Sequence, residues 1–77
     1  MNNERRDRLR GAMRKLIDVQ SIVSAICDKE EDCLDNYPDN LQGTERYEQA
    51  ETAVDNLNDA LEKLDEAKEH IQTAISQ

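Results

Sequence analysis

The 77-residue chain reads as an all-α protein, an antiparallel two-helix hairpin that dimerises into a four-helix bundle. Three observations predict this. From Tyr47 onward apolar residues recur every seven positions in three columns: Tyr47, Val54, Leu61 and Ile75; Ala50, Leu57, Leu64 and Ile71; Ala53, Ala60, Ala67 and Ala74. An earlier run, Leu9, Ala12, Leu16, Val19, Val23, Ile26 and Cys33, steps by alternating threes and fours until Glu30 takes one place. Between the two runs, the only proline and one of the two glycines fall in one polar segment, Asp35 to Thr44. Residues seven apart lie about two turns up the same face of a helix, so each run is one apolar stripe on a charged rod.

The elements follow in order within a single domain, 1–77. The first helix is expected over about 3–33, with Met13, Cys27 and Leu34 widening its stripe and Ile17 and Ile22 on either flank. Gly11 costs about 1 kcal/mol relative to Ala and marks a fray or a close helix crossing. The turn occupies about 35–44, with Asn36 capping a short turn that starts at Pro38, and with Tyr37 and Leu41 folded back over the open end of the pair. Thr44 is the expected N-cap of the second helix, about 45–76, and Glu45, Glu48 and Glu51 suit the positive end of its dipole. Both helices are about 45 Å long at 1.5 Å per residue, so a chain that turns back at Pro38 aligns them throughout. A hairpin alone cannot cover stripes this wide, which points to a homodimer with core residues Leu9, Leu16, Val19, Val23, Ile26, Val54, Leu57, Leu61, Leu64 and Ile71. The alanine column lets one helix pair approach closely, and Lys68, in a core column, is expected to snorkel.

Size and composition bound the rest. A core at this length supplies only a few kcal/mol unless something reinforces it. With no Trp, no Phe and fifteen Leu, Ile and Val, that core is aliphatic. Charged residues make up 36% of the chain and the net charge is −8, so order should depend on assembly. The charge is uneven: residues 1–15 carry six basic against two acidic groups, and the remaining 62 carry four against sixteen. The first fifteen residues therefore carry +4 and the rest of the chain −12. A basic start followed by Leu16 to Cys27 resembles a leader, but Asp18 and Gln20 interrupt it and Ile26 stands where processing wants a small residue. No stretch reaches the roughly eighteen apolar residues of a membrane span, so a soluble, cytoplasmic protein without membrane contact is expected. In one continuous helix Cys27 and Cys33 stand about 9 Å apart along the axis and about 120° apart around it, which rules out a disulfide between them.

Candidate chemistry is sparse. His70, the only histidine, sits among Glu66, Lys68 and Glu69 and reads as a solvated side chain. No nucleophile and base share a neighbourhood, no glycine-rich loop could cradle phosphate, and no soft-ligand set could hold zinc, so the chain reads as non-enzymatic and without a cofactor. The run Asp28, Glu30, Glu31, Asp32, Asp35 and Asp39 lacks the central glycine and terminal glutamate of a calcium loop and reads as a hydrated face.

The stretch Asn40-Leu41-Gln42-Gly43-Thr44-Glu45-Arg46-Tyr47-Glu48, followed by Ala53-Val54-Asp55-Asn56-Leu57, resembles a set of short acidic helical proteins of phages and prophages of Gram-positive bacteria. Those proteins have no assigned function, so the resemblance implies a mobile-element setting within a host cytoplasm and carries over no activity.

Function must then lie in binding. The basic patch Arg5, Arg6, Arg8, Arg10 and Arg14 admits three readings: pairing with Glu62, Asp65, Glu66 and Glu69 of the second helix, contact with nucleic-acid phosphates, or contact with an acidic protein. The −12 on the rest of the chain and the lack of aromatic residues nearby weigh against nucleic acid. The acidic face Asp55, Asp59, Glu62, Asp65, Glu66 and Glu69 is either solvated or imitates spaced phosphates to dock on a basic groove of a host nucleic-acid-binding or defence protein. The leading reading is a protein-binding module, an inhibitor of that kind; the alternatives are a small nucleic-acid-binding bundle and a structural or assembly protein.

Overall fold

The computed structural model describes residues 1–77. Helix α1 spans Asn3–Asp35, a single 3-10 turn covers Asp39–Leu41, and helix α2 spans Glu45–Ser76. The chain is an antiparallel helical hairpin, 59 × 15 × 13 Å. The first helix ends two residues later than its spacing predicted, because Asn36 closes it. The Asn36 backbone N–H and its side-chain amide both donate to the Asp32 carbonyl, at 3.1 and 2.9 Å. Asn36 therefore finishes α1 and does not start the turn at Pro38, whose 3-10 turn has no side-chain cap.

The other boundaries have ordinary causes. Asn2 Oδ1 accepts from the Arg5 N–H at 2.9 Å and starts α1. Thr44 Oγ1 accepts from the Tyr47 N–H at 3.3 Å and itself donates to the Leu41 carbonyl at 2.7 Å, so one hydroxyl fixes both the end of the turn and the start of α2. Gly43 precedes it at φ +86°, a left-handed conformation that side chains with a Cβ resist. The Tyr37 ring lies 5.2 Å from that of Tyr47, tilted by 48°, and closes the end of the pair. Leu41 does not join them and stays exposed.

Along the seam, α1 contributes Leu9, Met13, Leu16, Val23, Cys27 and Leu34, and α2 contributes Tyr47, Ala50, Val54, Leu57, Leu61, Leu64, Ile71 and Ile75, all half-buried or buried. Only Cys27, Val54 and Ile75 are buried in the strict sense. The chain exposes 5859 Å², whereas a compact monomer of its mass exposes about 4,800 Å². About 1,000 Å² of surface per chain is thus left uncovered by the hairpin fold.

Gly11 marks neither a fray nor a close crossing. The helix runs through it, and a Cβ added there would meet only the Arg14 guanidinium at 3.6 Å. Gly11→Ala should therefore raise stability by about 0.5–1 kcal/mol, and Thr44→Ala should lower it by about 1 kcal/mol. Urea unfolding followed by circular dichroism measures both.

Candidate protein-interaction surfaces

Which side chains reach which surface depends on how α1 is rotated about its axis, and a few polar links set that rotation. Near the middle, the Gln20 amide donates to Asp65 Oδ1 at 2.7 Å. Nearer the turn, Asn58 donates to Glu31 Oε1 at 3.3 Å, and its own Oδ1 lies 3.5 Å from Cys27 Sγ. At the open end, the Arg6 guanidinium donates to the backbone oxygens of Ile75 and Gln77, at 3.1 and 2.9 Å. Each link joins positions about equally far from the turn, as an antiparallel register requires. Sequence reasoning missed Arg6, Gln20 and Asn58 in these roles. For Arg6 and Gln20 the available signal was the seven-residue column Arg6, Met13, Gln20, Cys27 and Leu34, in which those two polar members hid the seam.

This register corrects one expected pairing. Asp65 lies beside Gln20, so Glu62 and Glu66 lie opposite the middle of α1 and well away from its first turns, whereas Glu69 lies nearer the level of Arg14 but makes no ion pair with it. Arg5, Arg6 and Arg8 instead lie level with the last turn of α2, which has neither an acidic nor a basic side chain. The three ion pairs of the chain are all local: Arg10–Asp7 at 2.7 Å, Lys63–Glu66 at 3.4 Å and Lys68–Asp65 at 3.4 Å. Arg6 supplies the cation that the negative end of the α2 dipole lacks on its own helix. Arg5, Arg8 and Arg14 pair with no carboxylate.

Four surfaces result. On one lateral side, Met13 and Ile17 border a groove completed by Asp65, Lys68, Glu69 and Gln72, a polar setting in which Ile17 is the exposed apolar group. Lys68 lies half-buried along it with its ammonium turned to Asp65. At about 100° per residue, the opposite lateral side carries Ala12, Val19, Ile22, Ile26 and Cys33 from α1, and Ala53, Ala60, Ala67 and Ala74 from α2. There Val19, Ile22 and Ile26 are 45%, 61% and 48% exposed. Of the residues expected in a dimer core, Val19 and Ile26 thus lie on this open side, and the other eight line the seam within the chain.

The third surface is the outward side of α2, where Asp55, Asp59, Glu62, Asp65, Glu66 and Glu69 are all exposed. Lys63 and Lys68 hold Glu66 and Asp65, whereas Asp55, Asp59, Glu62 and Glu69 have no side-chain partner. The fourth is the basic end, where Met1, Arg5, Arg8 and Leu9 line a shallow groove. No family model, curated protein or solved structure matches this chain.

Chemically active groups are scattered over these surfaces. No three of the His, Cys, Asp and Glu side chains converge as a metal site. Cys27 and Cys33 are free thiols. Cys27 lies beside Asn58, about 18 Å along α2 from His70. Burial pushes the Cys27 thiol up, and the Glu31 and Asp28 carboxylates add to the shift. Asp65 is held below the ordinary carboxylate range, first by the Gln20 hydrogen bond and then by Lys68.

These shifts fix two signs. Because its folded pKa is raised, Cys27 favours the fold below the ordinary thiol range, about 8.5, and loses that contribution as pH rises through the folded value. Because its folded pKa is lowered, Asp65 favours the fold above the ordinary carboxylate range and loses that contribution as pH falls through the folded value. Near neutral pH Cys27 should resist a maleimide in the native protein and react with it in denaturant, as read by mass spectrometry. In an NMR titration Asp65 should ionise below the ordinary carboxylate range, and Gln20→Ala should move its midpoint up.

Proposed function

We propose that this chain is a non-enzymatic protein-binding module that presents the outward carboxylates of α2 to a basic surface of another protein. The observation that carries this reading is the row Asp55, Asp59, Glu62 and Glu69, exposed, unpaired within the chain, and spread over about 21 Å of one rigid helix. A flexible acidic tail loses conformational entropy when it docks, but carboxylates fixed on a helix have already lost it. Their steps of three, four and seven residues resemble spaced backbone phosphates, so a nucleic-acid-binding protein has the complementary surface. The phage-like character of the second half of the chain suits an inhibitor of such a host or defence protein.

A second reading has its own observation. Arg5, Arg8 and Arg14 have no carboxylate partner in the chain and are free to meet phosphates. The acidic remainder of the molecule repels a polyanion, which ranks this reading below the first.

Photo-crosslinking from position 59 in cells that make the protein would trap the partner for purification. The combined variant Asp55→Lys, Asp59→Lys, Glu62→Lys and Glu69→Lys should weaken its binding at least about tenfold, as should raising salt from about 50 to about 500 mM. Binding indifferent to both changes overturns the proposal. For the rival, a mobility shift of duplex DNA or RNA at low salt that disappears in Arg5→Ala, Arg8→Ala, Arg14→Ala would replace it.

A further inference from the structure

We infer that the open apolar side of the hairpin binds a second copy of this chain, laid against it with its turn at the opposite end. This holds independently of what the α2 carboxylates meet. The argument starts from area. The chain exposes about 1,000 Å² more than a compact monomer of its mass, and a stable interface takes about 800 Å² from each partner. The exposed aliphatic residues that could fill such an interface lie together on one side, at Val19, Ile22 and Ile26, and the alanines of α2 beside them let a second backbone approach closely.

The pattern on that side is matched to itself. The run from Ala12 to Cys33 has its midpoint between Ile22 and Val23, so a two-fold axis there sets Val19 of one protomer against the partner's Ile26, and Ala12 against the partner's Cys33. The same rotation brings Lys15 near the partner's Glu30. Both side chains are exposed, border this side of α1 and have no ion pair within the chain.

Charge then decides between the two ways of stacking a pair of hairpins. With the turns at opposite ends, α1 lies on α1, and the arginine end of each copy covers the acidic turn end of the other, where Glu30, Asp35 and Asp39 stand. With both turns at the same end, α1 lies on α2, the two ends of +4 meet and the acidic turns meet each other. Only the first arrangement places opposite charges together at both ends.

The orientation can be read as a distance. In the full chain carrying Cys33→Ser and Gln42→Cys, a spin label at the turn should report a separation of about 40 Å by pulsed electron resonance; turns at the same end would give about 20 Å or less and overturn the orientation. A monomer by light scattering at about 100 µM would overturn the second copy altogether and assign this side to a foreign partner. Lys15→Glu and Glu30→Lys leave the hairpin seam untouched, so each should weaken the dimer at least about threefold and the double exchange should restore it. Failure of the exchange to restore it would overturn the placement of the axis between Ile22 and Val23.

Discussion

A helix in contact with one neighbour can bury only a stripe along its length, and α1 has two. Its columns Leu9, Leu16 and Val23 and Met13, Cys27 and Leu34 go to the seam with α2; Ala12, Val19, Ile26 and Cys33 then have nowhere to go within the chain. The small number of buried residues, the elongated shape and the uncovered area all follow from that geometry. No choice of side chains would let two helices of this length enclose a conventional core.

The links across the seam carry specificity more than energy. Gln20, Glu31, Asn58 and Asp65 are partly exposed, and hydrogen bonds in such places contribute little over their competition with water. A different rotation of α1 would bring Val19 and Ile26 into the seam but would carry Gln20 and Glu31 away from Asp65 and Asn58 and break both links. The charges along the helices work in the same sense. Basic residues at the start of α1 and acidic ones at its end oppose its own dipole, yet in the antiparallel register each set lies beside the end of α2 that it suits. Arg6 on the last carbonyls of α2 is the direct contact of this kind.

Much of this was legible in the sequence, and the part that was not has a definite cause. The two helices, the Thr44 cap and the position of the turn follow from local chemistry: a hydroxyl ahead of a heptad run, and a proline and a glycine together in one polar segment. The rotation of α1 does not, because two overlapping sets of apolar positions both fit a helical period, and the choice between them was made by Gln20 meeting Asp65 from the other helix. The same cause explains the misplaced arginine pairing. Opposite charges at roughly corresponding ends do not give a register, and the actual one sets Glu62 and Glu66 level with the middle of α1. Asn36 illustrates the local version of the difficulty, since an Asn between a helix and a proline can serve either one. The carboxylate row of α2 was visible from spacing alone, but which of its members are free required the positions of Lys63 and Lys68.

The Arg6 clasp has a mechanical side. It ties the first turn of α1 to the last turn of α2, so both ends of the chain leave the molecule at one pole and the turn lies at the other. Tension applied to those ends would peel the helices apart from that pole, meeting the seam contacts one at a time and never in parallel. The clasp is the first to bear the load. A hairpin held this way resists thermal agitation along its whole seam at once but yields to a directed pull one contact after another, as a zip does.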